Sequence, residues 1–453
     1  MKWQSLGDAV ADRQGRRQFL QAAFMGAAGV GASRWVPTLA NELASHPGRK
    51  RQCLILWMAG GPSQIDSFDM KPDHANGGEF RPISTTVPGL AICEHLPRLA
   101  KHADQLAIVR SVSTKEGDHM RGMQLMRTGT AANGPIKMPS IGCSLAKELG
   151  SLESGLPNYI SVGAPAFPGA AGLGPGYLGP RYAPTSVIGA EPGPAVDGEP
   201  NRFASLGVNH LATFPGVTTD RVERRRDILE SLQRSFLEQH PSENALAQDT
   251  VYRRALRMMD GEVAKAFDLS AEPDEVRVAY GKGLFGQGCL LARRLLEQGV
   301  PVVEVTLNST PDSPAGWDTH QDNFRQTRAL LSQLDAGWGT LMTELSDRGL
   351  LESTTILWIG EFGRTPVINN NAGRDHFPQA WSCVFAGGGI QGGAAFGATS
   401  RDGMEVVEQP VNEIQLLATL CRAVGVDPQS ENQTNDGRPV KIVDGAPIEQ
   451  LLA

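Results

Sequence analysis

Short runs rich in apolar and β-branched residues recur along the chain, separated by longer amphipathic stretches. Cys53–Ala59, Leu106–Val109, Thr355–Ile359 and Trp381–Ala386 are unbroken by any charge, and Val300–Leu307 is apolar and β-branched apart from Pro301 and Glu304. An unbroken run of that length predicts a strand covered on both faces, as in a parallel sheet flanked by helices. The amphipathic stretches read as helices. In Arg221–Gln239 the apolar positions Val222, Ile228, Leu229, Leu232 and Phe236 are spaced among charges, the pattern of a surface helix. In Phe324–Leu345, Leu330, Leu331, Leu334, Trp338, Leu341 and Leu345 share one face, and Gly349 closes the helix. Leu96–Asp104, Gly117–Arg127 and Asn412–Val424 predict further helices. Another runs from Pro273, in its first turn, to Glu297, though Gly281, Gly283, Gly286 and Gly288 interrupt it. Strand and helix alternate over 53–109 and 300–424, which predicts one α/β domain with a mainly parallel sheet. Between the halves, at about 163–298, an insertion is expected: a Gly/Pro-rich loop or cap, then a helical segment.

Composition narrows the class. The chain has 453 residues, 40% hydrophobic and 20% charged, which is ordinary for a globular protein. Its net charge of −7 offers nothing to neutralise phosphates, so nucleic acid is not an expected partner. Residues 1–45 read as an address and linker. Arg16 and Arg17 precede Gln21–Ala32, a short run of small and apolar residues, as in the twin-arginine export signal. The run is too short for a stable membrane span, and cleavage is expected near Ala40–Ala44. The expected destination is therefore the periplasm or another exported location, with the twin-arginine machinery as a partner. The six cysteines form no C-x-x-C pair, so a structural zinc cluster is not expected. Cys53 and Cys383 read as core residues, and an oxidising destination would permit disulfides.

Candidate chemistry follows the apolar runs. Ligands in open α/β sheets bind beyond the carboxyl ends of the strands. Beyond Cys53–Ala59 stand Asp66 and Asp69. Beyond Val300–Leu307 stand Asp318 and His320. Beyond Thr355–Ile359 stand Glu361, Arg364, Asp375 and His376, and His119 follows Leu106–Val109. Singly, each has a plainer reading: His119 starts a helix, Asp66 or Asp69 caps a turn, and Asp318 makes an Asx turn. Jointly, mixed carboxylates and imidazoles suit Zn²⁺ or Mn²⁺ better than Ca²⁺ or Mg²⁺. Asp318 and His320, two apart on an extended loop, can face one ion. The glycine run Gly387–Gly393 lacks the spacing of a phosphate-binding loop and predicts a tight β connection.

Gly60–Asp69, Gly316–His320, Gly360–Pro366 and Gly373–His376 resemble the motifs of an exported bacterial family catalogued as domain of unknown function 1501, over roughly residues 50–450. That family is grouped with the alkaline phosphatase and sulfatase superfamily. The resemblance implies an α/β/α sandwich and metal-dependent hydrolysis of phosphate or sulfate esters, on a small molecule or a polysaccharide. It makes Asp318, His320 and His376 metal ligands, with Glu361 where the superfamily has an Asp-His pair and Asp66 as the first-strand acid; Asp375 and His119 come next. The nucleophile falls at Ser111, Ser113 or Thr114, and Arg364 holds the anionic ester. The chain departs from the superfamily in three places. Gly60-Gly61 separates the first strand from its acid. Phe362 replaces the paired histidine. No cysteine lies in the C-x-P-x-R sequence of sulfatases. The expectation is an exported metal-dependent hydrolase; the alternative is an exported binding or assembly protein that keeps a degenerate metal site.

Overall fold

The computed structural model describes residues 51–453 apart from 132–133, 152–153, 164–173, 193–201, 209–215, 241 and 260. The stretch expected to be a twin-arginine leader and much of the Gly/Pro-rich segment lie outside the described residues.

Nine strands form the central sheet: β1 (Gln52–Met58), β2 (Leu106–Val112), β3 (Tyr159–Val162), β4 (Thr185–Ala190), β5 (Ser205–Gly207), β6 (Val302–Leu307), β7 (Thr354–Ile359), β8 (Trp381–Gly387) and β9 (Ala394–Phe396), in the order β9-β2-β8-β7-β1-β6-β3-β4-β5. β8 runs antiparallel to both β2 and β7, and β5 antiparallel to β4; the other pairs are parallel. Every residue of β1 and β7 is buried. Because successive side chains point to opposite faces, Leu54, Leu56 and Met58 enter one core while Cys53, Ile55 and Trp57 enter the other. On the first face lie α6 (Leu284–Glu297), α7 (Asn323–Leu334) and α8 (Thr340–Asp347); on the second lie α1 (His119–Thr128), α2 (Ile141–Leu149) and α9 (Glu413–Ala423). The result is the expected α/β/α sandwich with a mainly parallel sheet. Other helices of the middle segment include α3 (Thr219–Gln239), α4 (Glu243–Met258) and α5 (Asp274–Tyr280). No helix among the described residues is long and apolar enough to cross a membrane.

Several elements depart from the sequence pattern for visible reasons. The helix read from Pro273 to Glu297 is two, because Gly281 takes φ +95° between them; Gln287 then donates to the freed carbonyls of Arg277 and Gly281 at 3.0 and 2.8 Å. Residues 323–347 pass through a π turn at Asp335–Gly339, where a Cβ on Gly337 would meet the Phe285 ring at 2.9 Å. The segment read as a helix at Leu96–Asp104 is a 3₁₀ helix, Leu99–Gln105. Within the middle segment, β4 and β5 extend the sheet, and α6 belongs to its first core. Asn412 does begin the closing helix, through a reciprocal capping box with Gln415.

Candidate metal centre

The site forms where β2, β7, β1 and β6 release their chains at the sheet's carboxyl edge. β1 turns away through Gly60 (φ +109°) and Gly61 (φ +82°). A Cβ on Gly60 would lie 2.5 Å from the backbone nitrogen of Asp318. The missing side chain therefore lets the loop after β6 lie against the end of β1, where Trp317 N–H donates to Ala59 O at 3.0 Å. That contact seats Asp318. The Arg364 guanidinium, fully buried, fixes it further. It donates to Gly61 O at 3.0 Å, to Arg374 O at 3.1 Å, and through one nitrogen to both Gly60 O and Asp318 Oδ1.

A short ribbon, Gly363–Arg364 paired with His376–Phe377, carries His376. Its turn is held by a buried ion pair: Arg374 meets Asp66 through two hydrogen bonds, of 2.7 and 3.0 Å, and neither side chain is exposed. Ser63 and Asn323 also donate to that carboxylate, at 2.6 and 2.8 Å. His119 opens α1 beside its cap, Asp118. The far end of α1 is pinned by Arg127, whose two hydrogen bonds to Glu304 of β6 are 2.7 and 3.1 Å; Arg127 also lies 4.1 Å over the Trp57 ring. Gly122 brings the helix close to Glu361 and Phe362.

These elements gather three imidazoles around one carboxylate. The Nε2 atoms of His119, His320 and His376 lie 3.3, 3.1 and 3.1 Å from Asp318 Oδ1. Each ring is held from behind at Nδ1: His119 by Glu361 Oε1 at 2.8 Å, His320 by Asp375 Oδ1 at 2.7 Å, and His376 by Gly117 O at 2.7 Å. A carbonyl oxygen only accepts, so His376 carries a proton on Nδ1, and its Nε2 turns toward Asp318. The Nε2 atoms of His320 and His376 are 3.0 Å apart. Ring nitrogens gathered this closely around one carboxylate oxygen repel one another unless protons or a cation lie among them. The ligand atoms of His119, Asp318 and His376 all fall within 4.8 Å of one another.

The local field is strong. Burial opposes charge on His119, yet Asp318 and Glu361 outweigh it and raise its pKa to about 9. Burial also pushes Asp318 up, but His119, His376 and Arg364 hold it far below the usual carboxylate range. Asp375 is lowered, chiefly by its hydrogen bond from His320. Glu361 is buried; its Oε1 also accepts from Gly60 N–H at 2.7 Å, while its Oε2 has no hydrogen-bond partner among the described residues.

His119, Asp318, His320 and His376 thus meet. Glu361 and Asp375 stand behind two of the imidazoles. Both Asp66 oxygens are taken by the buried pair with Arg374 and its neighbours, so this acid clamps the His376 ribbon. Asp69 serves Lys71, at 3.0 Å, and Thr399. Arg364, read from sequence as an anion holder, is enclosed by carbonyls and positions Asp318 instead. Ser111 Oγ donates to Gln409 O at 2.6 Å. Ser113 and Thr114 follow β2, their backbone N–H groups donating to Val411 O and Pro378 O, both at 2.8 Å; the buried Thr114 hydroxyl has no hydrogen-bond partner among the described residues. Asp318 and His320 do approach, though on a tight turn, with His320 N–H donating to Asp318 O at 3.1 Å, and not on an extended loop. The Gly117 carbonyl and the Asp66–Arg374 clamp left no signal in the sequence. The glycines at 60 and 61 did, as a departure from the superfamily's acid.

Imidazole nitrogens and one carboxylate, each imidazole backed by a hydrogen bond at its other nitrogen, fit the coordination chemistry of zinc-type ions. Among solved structures, the chain is similar to a sulfatase from a Pseudoalteromonas species, at 13% identity and a TM-score of 0.38, covering 88% of this chain and 72% of that one. It is similar to a protein in the alkaline phosphatase superfamily from Vibrio parahaemolyticus, at 12% and 0.38, covering 88% and 76%. A phosphonate monoester hydrolase from Silicibacter pomeroyi gives 13% and 0.35, covering 88% and 76%. These values are too low to transfer chemistry. No curated protein matches the sequence. The profile of the family described as protein of unknown function (DUF1501) matches residues 50–452, and the chain belongs to that family.

Proposed function

We propose that this chain is an exported, metal-dependent hydrolase of a phosphate- or sulfate-type ester. One observation carries the reading: three Nε2 atoms converge on Asp318, and each Nδ1 is already engaged. His119, Asp318, His320 and His376 would hold the ion, with Zn²⁺ or Mn²⁺ preferred over Ca²⁺ or Mg²⁺ for this donor set. When bound, such an ion supplies Lewis-acid polarisation of an ester oxygen and lowers the pKa of water. Glu361 and Asp375 orient their imidazoles, and Arg364 keeps Asp318 ionised and in place. The His320 side chain is 44% exposed, so substrate enters from its side. Among the hydroxyls, Thr114 is a better nucleophile candidate than Ser111, which is spent on Gln409.

A second reading, an exported binding or assembly protein, draws on the buried Arg364 guanidinium, which is engaged by carbonyl oxygens and Asp318 and is not open to a bound ester. Aryl phosphates, phosphodiesters and aryl sulfates, each assayed across Zn²⁺, Mn²⁺, Ca²⁺ and Mg²⁺, separate the two. Turnover abolished by Asp318→Ala supports the hydrolase. Metal retention without turnover supports the binding protein, and neither one overturns both.

The export proposal rests on the Arg16-Arg17 leader and on the thiols. All six cysteines are buried and unpaired. A chain exported already folded keeps such thiols away from oxidants. Replacing both arginines by lysine should leave the protein in the cytoplasmic fraction, while unchanged fractionation would remove the export proposal.

A further inference from the structure

Helix α3 carries an apolar strip that no other helix or strand of the described residues covers, although its Phe236 meets the ring of His240, just past the helix's end, at 4.9 Å between centroids. On one side Val222, Leu229 and Leu237 are half-buried, and the helix packs on α4. On the other side Ile228, Leu232 and Phe236 recur four residues apart, exposed at 59, 64 and 56%. A lone exposed leucine needs no explanation, but three apolar residues on successive turns form a seam. Leu246 and Tyr252 of α4 are exposed as well.

The charges around the seam say what fits it. Five arginines and five acids of α3 cancel, which suits neither an anionic lipid surface nor a polyanion. Their placement is uneven. Arg221, Arg224 and Arg225, all exposed, lie at the seam's amino-terminal end, and Arg221 and Arg225 continue its line. The opposite end carries the exposed Glu238 and the helix's terminal carbonyls, the negative pole of its dipole. A seam basic at one end, apolar in the middle and negative at the other complements itself turned end for end.

We infer that α3 pairs antiparallel with α3 of a second copy of this chain. The twofold axis passes through Leu232, which meets its own copy. Ile228 then rests on Phe236 of the second copy, and Arg224 and Arg225 lie beside its Glu238 and final carbonyls. This is a self-complementary closed interface.

Disulfide trapping and sedimentation on the full chain test it. Helices packed about 8–10 Å apart bring the facing Cα atoms within disulfide reach. Leu232→Cys is expected to cross-link under mild oxidation, and Ser231→Cys, off the seam, is not; the native cysteines are buried and silent. Sedimentation is expected to show a concentration-dependent dimer. Arg224→Glu with Arg225→Glu should weaken it at least about tenfold, and adding Glu238→Arg should restore it. All these positions are exposed, so an unchanged circular dichroism spectrum verifies folding. A monomer at about 100 μM overturns the inference. So does a dimer without the Leu232→Cys cross-link, or co-sedimentation with phosphatidylglycerol vesicles in place of self-association.

Discussion

At the scale of single residues, metal affinity depends on what stands behind each imidazole. Removing a group that orients a metal-binding histidine typically costs about 10–100-fold in metal affinity. Glu361→Gln and Asp375→Asn are each expected to weaken Zn²⁺ binding by about that factor in calorimetry, with Asp318→Ala weakening it further. Equal affinity in all three would count against these orienting and ligating roles. The raised pKa of His119, about 9 in the metal-free protein, also makes a signed prediction. An unfolded histidine titrates at roughly 6.5. The charged ring is therefore stabilised on folding. That contribution is complete below about pH 6.5 and lost as pH rises through about 9. Thermal melts of metal-free protein should lose stability across that window, and His119→Gln should flatten the change. Part of this was legible in the sequence, since Asp318, His320, Glu361 and His376 follow strand-like runs. The enclosure of Arg364 and the Asp66–Arg374 pair were not, because residues 308 positions apart declare no partnership until the chain is folded.

At the scale of elements, placement depends on two close contacts. Gly60→Ala puts a Cβ at φ +109° and 2.5 Å from the Asp318 nitrogen, so the end of β1 and the Asp318 loop must separate. The expected cost exceeds about 1 kcal/mol, together with weaker metal binding. The Arg127–Glu304 pair ties α1, and with it His119, to β6. Glu304→Gln leaves a buried guanidinium without its counter-charge and should cost about 3–5 kcal/mol in chemical denaturation. β1, β2, β6, β7 and β8 were plain in the sequence, because burial on both faces leaves mostly apolar runs. The break at Gly281 and the π turn at Asp335–Gly339 were less so. The first rests on a positive φ at Gly281 and the second goes with the Phe285 ring against Gly337, and helical periodicity records neither.

At the scale of the whole molecule, the proposed cation would join loops that follow three strands, β2, β6 and β7, so binding it should stabilise the domain as a unit. A ligand present at about 100 times its Kd adds about 2.7 kcal/mol. Chelation should therefore lower the melting temperature by a few degrees, and Zn²⁺ should restore it in the parent protein but not in Asp318→Ala. The mainly parallel α/β sheet was legible as alternation, and the α/β/α layering was implied by the family resemblance. The extension of the sheet by β4 and β5 was hidden, because these short strands lie in a stretch dominated by Gly and Pro. The most direct test of the proposed metal centre is an anomalous-scattering map of zinc-loaded crystals. It should show one peak about 2.0–2.2 Å from the Nε2 atoms of His119, His320 and His376 and from a carboxylate oxygen of Asp318. A map with no peak there, or with zinc held by other residues, would contradict it.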